Sequence, residues 1–151
     1  LGMKNLLDYA LKKSVKSVVY VSSSEVYGKK ENHTPYQEDE YGYVNILDVR
    51  ASYSSSKRAT ETLCKSYSEQ YGVAIKIVRP GHIYGPSLKI TDKRISSAFM
   101  YDAIRGQNLV MKSKGEQLRS YCHSLDCASA ILTVLLQGQS GDAYNISNKK
   151  S

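Results

Sequence analysis

Tyr53 and Lys57, in the stretch Tyr53-Ser54-Ser55-Ser56-Lys57, bring a phenol and an ammonium together. On a helix that spacing sets both groups on one face. A phenol with an ordinary pKa near about 10 is a poor base at neutral pH, and a fixed cation beside it favours the phenolate. Bringing the value to about 7 takes roughly 4 kcal/mol of differential stabilisation, within reach of one lysine plus a cationic cofactor ring. Such a pair also arises by chance, as a surface lysine beside a half-buried tyrosine. Its surroundings have to separate the two.

The pair falls within a helical pattern over Ala51–Tyr71. Upstream, Val18-Val19-Tyr20-Val21-Ser22-Ser23-Ser24-Glu25-Val26-Tyr27-Gly28 is a β-branched run that ends in hydroxyls and a carboxylate. Downstream runs Val73-Ala74-Ile75-Lys76-Ile77-Val78-Arg79-Pro80-Gly81-His82-Ile83-Tyr84-Gly85-Pro86. Both read as buried parallel strands with polar C-terminal ends, the place where open α/β sheets bind ligands.

The rest of the chain alternates helix and strand. The patterning predicts a helix over Met3–Lys13, a strand over Ser17–Ser22, an irregular segment Gly28–Arg50 and a strand over Val73–Val78. A loop Pro80–Lys93 and a helix Arg94–Arg105 come next, then short strands over Leu109–Lys112 and Leu118–Cys122. Ser124 and Asp126 are the candidate caps of a helix that runs through Leu136 and stops near Gly138, and a strand Ala143–Ile146 closes the chain. A loop as long as Gly28–Arg50 is usually functional or mobile. Its acidic run Glu38-Asp39-Glu40 reads as a solvated lid surface.

In this order, the strand ending at Glu25, the Tyr53 helix and the strand ending at Pro80 resemble the extended short-chain dehydrogenase/reductase family of nucleotide-sugar epimerases, dehydratases and decarboxylases. The resemblance runs from Leu6-Leu7 to Tyr144-Asn145. It implies an α/β fold: the C-terminal part of a Rossmann-like, doubly wound parallel sheet, with a small α/β substrate-binding portion. Residues 1–80 would be the C-terminal half of the dinucleotide-binding domain. Residues 81–151 would be mostly the substrate-binding portion, with elements returning to the sheet.

The resemblance also implies roles. NAD would be the cofactor, taking hydride from C4 of the sugar and usually returning it after the ketone has reacted. Tyr53 would take the C4 hydroxyl proton, and Lys57 would tune it while holding the nicotinamide ribose. Ser23 would share the hydrogen-bond network of substrate and tyrosine. Ser22, Tyr53, Lys57 and Pro80 would face the cofactor, and Ser24, His82, Arg94 and Arg119 the substrate.

Glu25 discriminates among reactions. Galactose-type epimerases carry a small or neutral residue just before Val-Tyr-Gly, whereas the dehydratases and UDP-glucuronate decarboxylases carry Glu there. A carboxylate at that point can move a proton beside the C4 ketone or orient a departing carboxyl group. The dTDP-glucose dehydratases place Asp immediately before that Glu; Ser24 stands there here, although GDP-mannose dehydratases use hydroxyl-Ser-Glu. Gly42-Tyr43-Val44-Asn45, Arg50-Ala51-Ser52-Tyr53, Lys57-Arg58, Glu61-Thr62-Leu63, Asp92-Lys93-Arg94 and Gly115-Glu116-Gln117-Leu118-Arg119-Ser120 are similar to segments of the decarboxylases. Arg119 is the expected contact to the nucleotide diphosphate, since a guanidinium fork pairs with phosphate oxygens. His82 departs from the family, which usually has Asn there.

Composition sets the bounds. At 151 residues and 41% hydrophobic, the chain has material for one sizeable core. Twenty-one basic residues against fourteen acidic ones give +7, but the lysines are dispersed and no nucleic-acid reading motif occurs, so a field favouring anionic nucleotide sugars is sufficient. A basic nucleic-acid binder is the minor alternative. No apolar run is long enough to cross a membrane and no signal peptide is recognised, which points to a cytoplasmic enzyme. Cys64, Cys122 and Cys127 read as core thiols, and Cys122-His123 with Cys127 matches no standard zinc spacing, so no metal is expected.

No Gly-rich dinucleotide turn occurs. The chain is therefore expected to be an internal piece of a longer enzyme, lacking the Gly-rich half and by itself inactive, without productive NAD binding. The helices Met3–Lys13 and Ala51–Tyr71 are expected to pair in a homodimer, and a non-catalytic piece that keeps only those helices is an alternative, as is a 4-epimerase.

Overall fold

Strand β1 (Val18–Val21) pairs in parallel with β2 (Ile75–Pro80), which pairs in parallel with a last strand, β5 (Ala143–Ile146). These contacts come from a computed structural model that describes residues 2–32, 34–86, 91–92, 94–111, 114–115 and 118–148. Central β2 is buried along its whole length, as a strand covered on both faces must be. Its side chains alternate: Ile75 and Ile77 join one core cluster, Val78 another.

Helices α1 (Gly2–Lys12) and α2 (Ala51–Tyr71) supply Leu7, Ala10, Cys64 and Tyr67 to the first cluster. Tyr67 Oη ties them by donating to Asp8 Oδ1 at 2.5 Å. Gly72, at φ 67° in the left-handed region, ends α2. Helix α4 (Ser124–Gln137) covers the other face through Cys127 and Val134. The sheet is thus covered on both faces, as expected.

A second, two-stranded parallel sheet pairs β3 (His82–Tyr84) with β4 (Tyr121–His123), and α3 spans Ile95–Ile104. β3 lies where a continuous loop Pro80–Lys93 was expected; of that loop, residues 87–90 and Lys93 lie outside the described residues. No strand forms over Leu109–Met111, and Lys112 lies outside the described residues. Of the expected strand Leu118–Cys122, only the end pairs, because β3 offers three residues of edge. The strand expected at Val73–Val78 starts two residues later: Val73 is buried but unpaired, and Gly81 N–H still donates to Ile146 O beyond the proline. The cap of α4 is His123, whose Nδ1 accepts from Leu125 N–H, rather than Ser124 or Asp126.

The long segment after Gly28 is anchored. Gly28 has φ 73°, and a Cβ there would sit 2.5 Å from Tyr43 O. Only glycine suits that turn, which lets Lys29 and Tyr43 exchange both backbone hydrogen bonds. The acidic run is only partly solvated: Asp39 is exposed, but Lys30 Nζ donates to both Glu40 oxygens, and Glu38 Oε1 accepts from Asn145 N–H. The Lys30–Glu40 pair braces the loop internally, and the Glu38 contact ties it to β5 of the sheet.

Candidate functional site

The C-terminal ends of β1 and β2 lie side by side, because the strands run parallel with Val21 opposite Val78. Beyond β1 the chain enters a single 3₁₀ turn, Ser24–Tyr27. Ser23 caps it, its Oγ accepting from Glu25 N–H at 3.2 Å. That hydroxyl keeps its own proton to donate. Ser24 is half-buried, and Glu25 projects into solvent from the same turn, while Val26 and Tyr27 face inward.

Lys57 docks α2 onto this strand end. Its Nζ donates to Val21 O at 2.8 Å, 5.0 Å from the centre of the Tyr20 ring and 5.8 Å from that of Tyr53. The helix thus brings the ammonium next to the tyrosine, as the spacing predicts. Tyr53 is 52% exposed. Ser22 Oγ is buried and has no hydrogen-bond partner among the described residues. An orphan hydroxyl at a strand end suits a polar group supplied by a bound cofactor. Pro80, at the neighbouring strand end, is buried.

His82 opens β3 two residues further on, half-buried with its ring edge-on to Tyr121 at 5.6 Å. Burial holds its pKa below the ordinary value; Arg119 adds to that, Glu25 opposes it and Arg94 lowers it further. Four expected site residues thus share one electrostatic neighbourhood. Arg119 and Arg94 are exposed. Arg94 is engaged by Asp92: its Nη2 lies 2.5 Å and its Nε 2.8 Å from Oδ2. Asp92 is held well below the usual carboxylate range, first by the Arg94 side chain. Lys93, Glu116 and Gln117, within two of the resembling segments, lie outside the described residues.

Sequence reasoning missed the most elaborate feature, a buried polar hub directly behind the Glu25 turn. Arg79 is 3% exposed and Glu61 7%. Arg79 uses all its N–H groups. Nε donates to Glu61 Oε1 at 3.0 Å, and Nη2 donates to Glu61 Oε2 and Tyr41 Oη, both at 2.7 Å. Nη1 donates to Tyr27 Oη at 2.9 Å and Glu38 O at 2.7 Å. Tyr27 Oη in turn donates to Asn145 Oδ1 at 2.6 Å. Arg58 holds the outer side, donating to Val26 O, Tyr27 O and Gly42 O.

A signal was available: a charged residue in a strand buried on both faces has to be paired. A cavity of about 890 Å³ between α2, the loop and the start of β5 is lined by Arg79, Glu61 and Tyr144 but by none of Ser23, Glu25, Tyr53 or Lys57. It backs the hub and lies apart from the expected catalytic residues. Burial in the apolar core pushes the Cys64 thiol up to about 12, and Cys122 and Cys127 pack in the second core cluster.

Residues 1–147 match the family model described as the NAD dependent epimerase/dehydratase family. The chain belongs to that family. UDP-glucuronic acid decarboxylase 5 of Arabidopsis thaliana is 36% identical over 148 residues, which are 98% of this chain and 42% of that protein. UDP-glucuronic acid decarboxylase 1 of Xenopus tropicalis is 32% identical over 98% of this chain and 34% of its own length. The solved dTDP-glucose 4,6-dehydratase of Bacillus anthracis, in complex with NAD, superposes with a TM-score of 0.87 at 28% identity, covering 99% of this chain and 46% of that one. The chain spans less than half the length of these epimerase/dehydratase relatives. Family, Rossmann-type α/β fold and NAD as the family's cofactor all agree with expectation. Among the described residues, no helix is long and apolar enough to cross a membrane.

Proposed function

We propose that the protein containing this chain is an NAD-dependent nucleotide-sugar enzyme that oxidises the sugar at C4 and then removes a carboxyl group, with UDP-glucuronate the leading substrate. The observation that carries this is the docking of Lys57 onto the β1 end beside Tyr53, one residue before Ser22 and four before Glu25. The identity to UDP-glucuronic acid decarboxylases supports the choice of substrate. The likeness to a dehydratase favours water loss as the second reading.

NAD, when bound, supplies the hydride acceptor. Tyr53 Oη takes the C4 hydroxyl proton, and Lys57 stabilises the phenolate through its charge. Ser23, whose oxygen already accepts from Glu25 N–H, is left to donate toward the substrate oxygen. Glu25 orients the departing carboxyl group or moves the proton beside the ketone. His82, Arg94 and Arg119 would hold the diphosphate, aided by Ser24, while Ser22, Lys57 and Pro80 would hold the nicotinamide end of NAD.

Residues 1–80 belong in this reading to the cofactor domain, and residues 81–151 mostly to the substrate portion. Exposed Leu6, Tyr9 and Leu11 on α1, which packs on α2, support a homodimer through these helices; sedimentation as a monomer at micromolar concentration would refute it. The three unpaired, buried thiols support a reducing, cytoplasmic setting.

The test is incubation of the full-length protein with NAD and a panel of nucleotide sugars, followed by mass analysis. Loss of carbon dioxide from UDP-glucuronate is expected; loss of water from a neutral sugar would favour the second reading, and neither loss would defeat both. Tyr53→Phe should lower turnover by about a thousandfold or more, equivalent to roughly 4 kcal/mol, with nucleotide-sugar binding kept. Unchanged turnover would remove Tyr53 from the mechanism.

A further inference from the structure

We infer that Arg79 is a positioning residue for the Glu25-bearing turn, setting where that carboxylate stands relative to the sugar. The inference rests on the role proposed for Glu25. Arg79 belongs to the central strand, the most constrained element of the sheet. Its guanidinium grips Glu61 of α2 with two parallel hydrogen bonds and spends its remaining three N–H groups on Tyr27, Tyr41 and Glu38. Tyr27 is the last residue of the turn that begins with Ser24 and Glu25. Its ring lies 5.0 Å from the Arg79 guanidinium and stacks on Tyr36 at 4.7 Å.

Both ends of the turn are therefore fixed: Ser23 caps the start, and Arg79 with Arg58 holds the finish. Glu25 itself is exposed, so its placement depends on the backbone that carries it. The same hub draws in Asn145 of β5, whose side chain accepts from Tyr27 and whose backbone N–H donates to Glu38. Three strand and helix elements thus converge on one turn. A lysine in place of Arg79 would keep a charge for Glu61 but lose the fork that reaches Tyr27 and Tyr41.

The full-length protein with NAD and UDP-glucuronate separates the two halves of the reaction. Hydride transfer is followed by the near-ultraviolet absorbance of reduced nicotinamide in a single turnover, and the second half by carbon dioxide release. Arg79→Lys is expected to slow carbon dioxide release about tenfold to a hundredfold, while hydride transfer stays within about threefold. Tyr27→Phe, which removes one hydroxyl and keeps the ring, should show the same split at smaller size.

Hydrogen exchange without ligand gives an independent readout: amides of Glu25 and Val26 should exchange about tenfold faster in Arg79→Lys, with those of α4 unchanged. Equal loss of both half-reactions, or unaltered exchange in the turn, would overturn the positioning role and leave the proposed function standing. Unchanged carbon dioxide release in Glu25→Gln would instead overturn the role of Glu25, and the positioning role with it.

Discussion

The hub behind the Glu25 turn and the open face in front of it are built on opposite terms. Around Arg79 every guanidinium N–H has an acceptor and the charges are sealed from water. A few residues away, Tyr53 is half in solvent, Glu25 is exposed and Ser22 Oγ lacks a partner among the described residues. The first arrangement satisfies itself and gains nothing from a ligand. The second leaves donors and acceptors for something else to meet, as a binding face must. Stability should therefore respond to the hub and chemistry to the face.

Removing one partner of the hub should have the largest effect on the fold. Glu61→Ala leaves a buried guanidinium uncompensated and is expected to cost about 3–5 kcal/mol of stability in denaturant titration. Tyr53→Phe, on the open face, should change stability by less than about 0.5 kcal/mol while abolishing turnover. Comparable stability losses from the two variants would erase the distinction between the regions.

A smaller effect concerns His82, on the margin between them. Burial first, then Arg119, holds it below its ordinary value in the folded protein. The folded state then binds fewer protons than the unfolded chain, so this contribution is present above the unfolded value of about 6.5 and is lost as pH falls through the folded value. His82→Asn should flatten that part of the melting-temperature profile between neutral and mildly acidic pH. An unaltered profile would show that His82 titrates alike in both states.

Much of this was legible in residue order. Tyr53 and Lys57 declare themselves by helical spacing, and Ser22 to Glu25 by closing a β-branched run. Strand β3 was not legible. Its three residues His82–Tyr84 carry too little alternation to stand out, and they become a strand only because β4 supplies a parallel edge. The cap of α4 shows the same limit: His123 does the work assigned to Ser124 or Asp126 because β4 ends where the helix begins. Glu40 and Glu38 looked like solvent-facing charge because local composition says nothing about partners such as Lys30 and Asn145, respectively ten and more than a hundred residues distant.

By itself, the residue order determined the alternation of helix and strand, the helical phase that pairs a phenol with an ammonium, and the polar ending of a buried strand. These are short-range properties, set by periodicity and by which side chains tolerate burial. Tertiary structure alone decided that Arg79 would meet Glu61, Tyr27, Tyr41 and the Glu38 carbonyl at one point. A buried charge is stable only where acceptors from several elements converge, and that convergence exists only once the chain has folded.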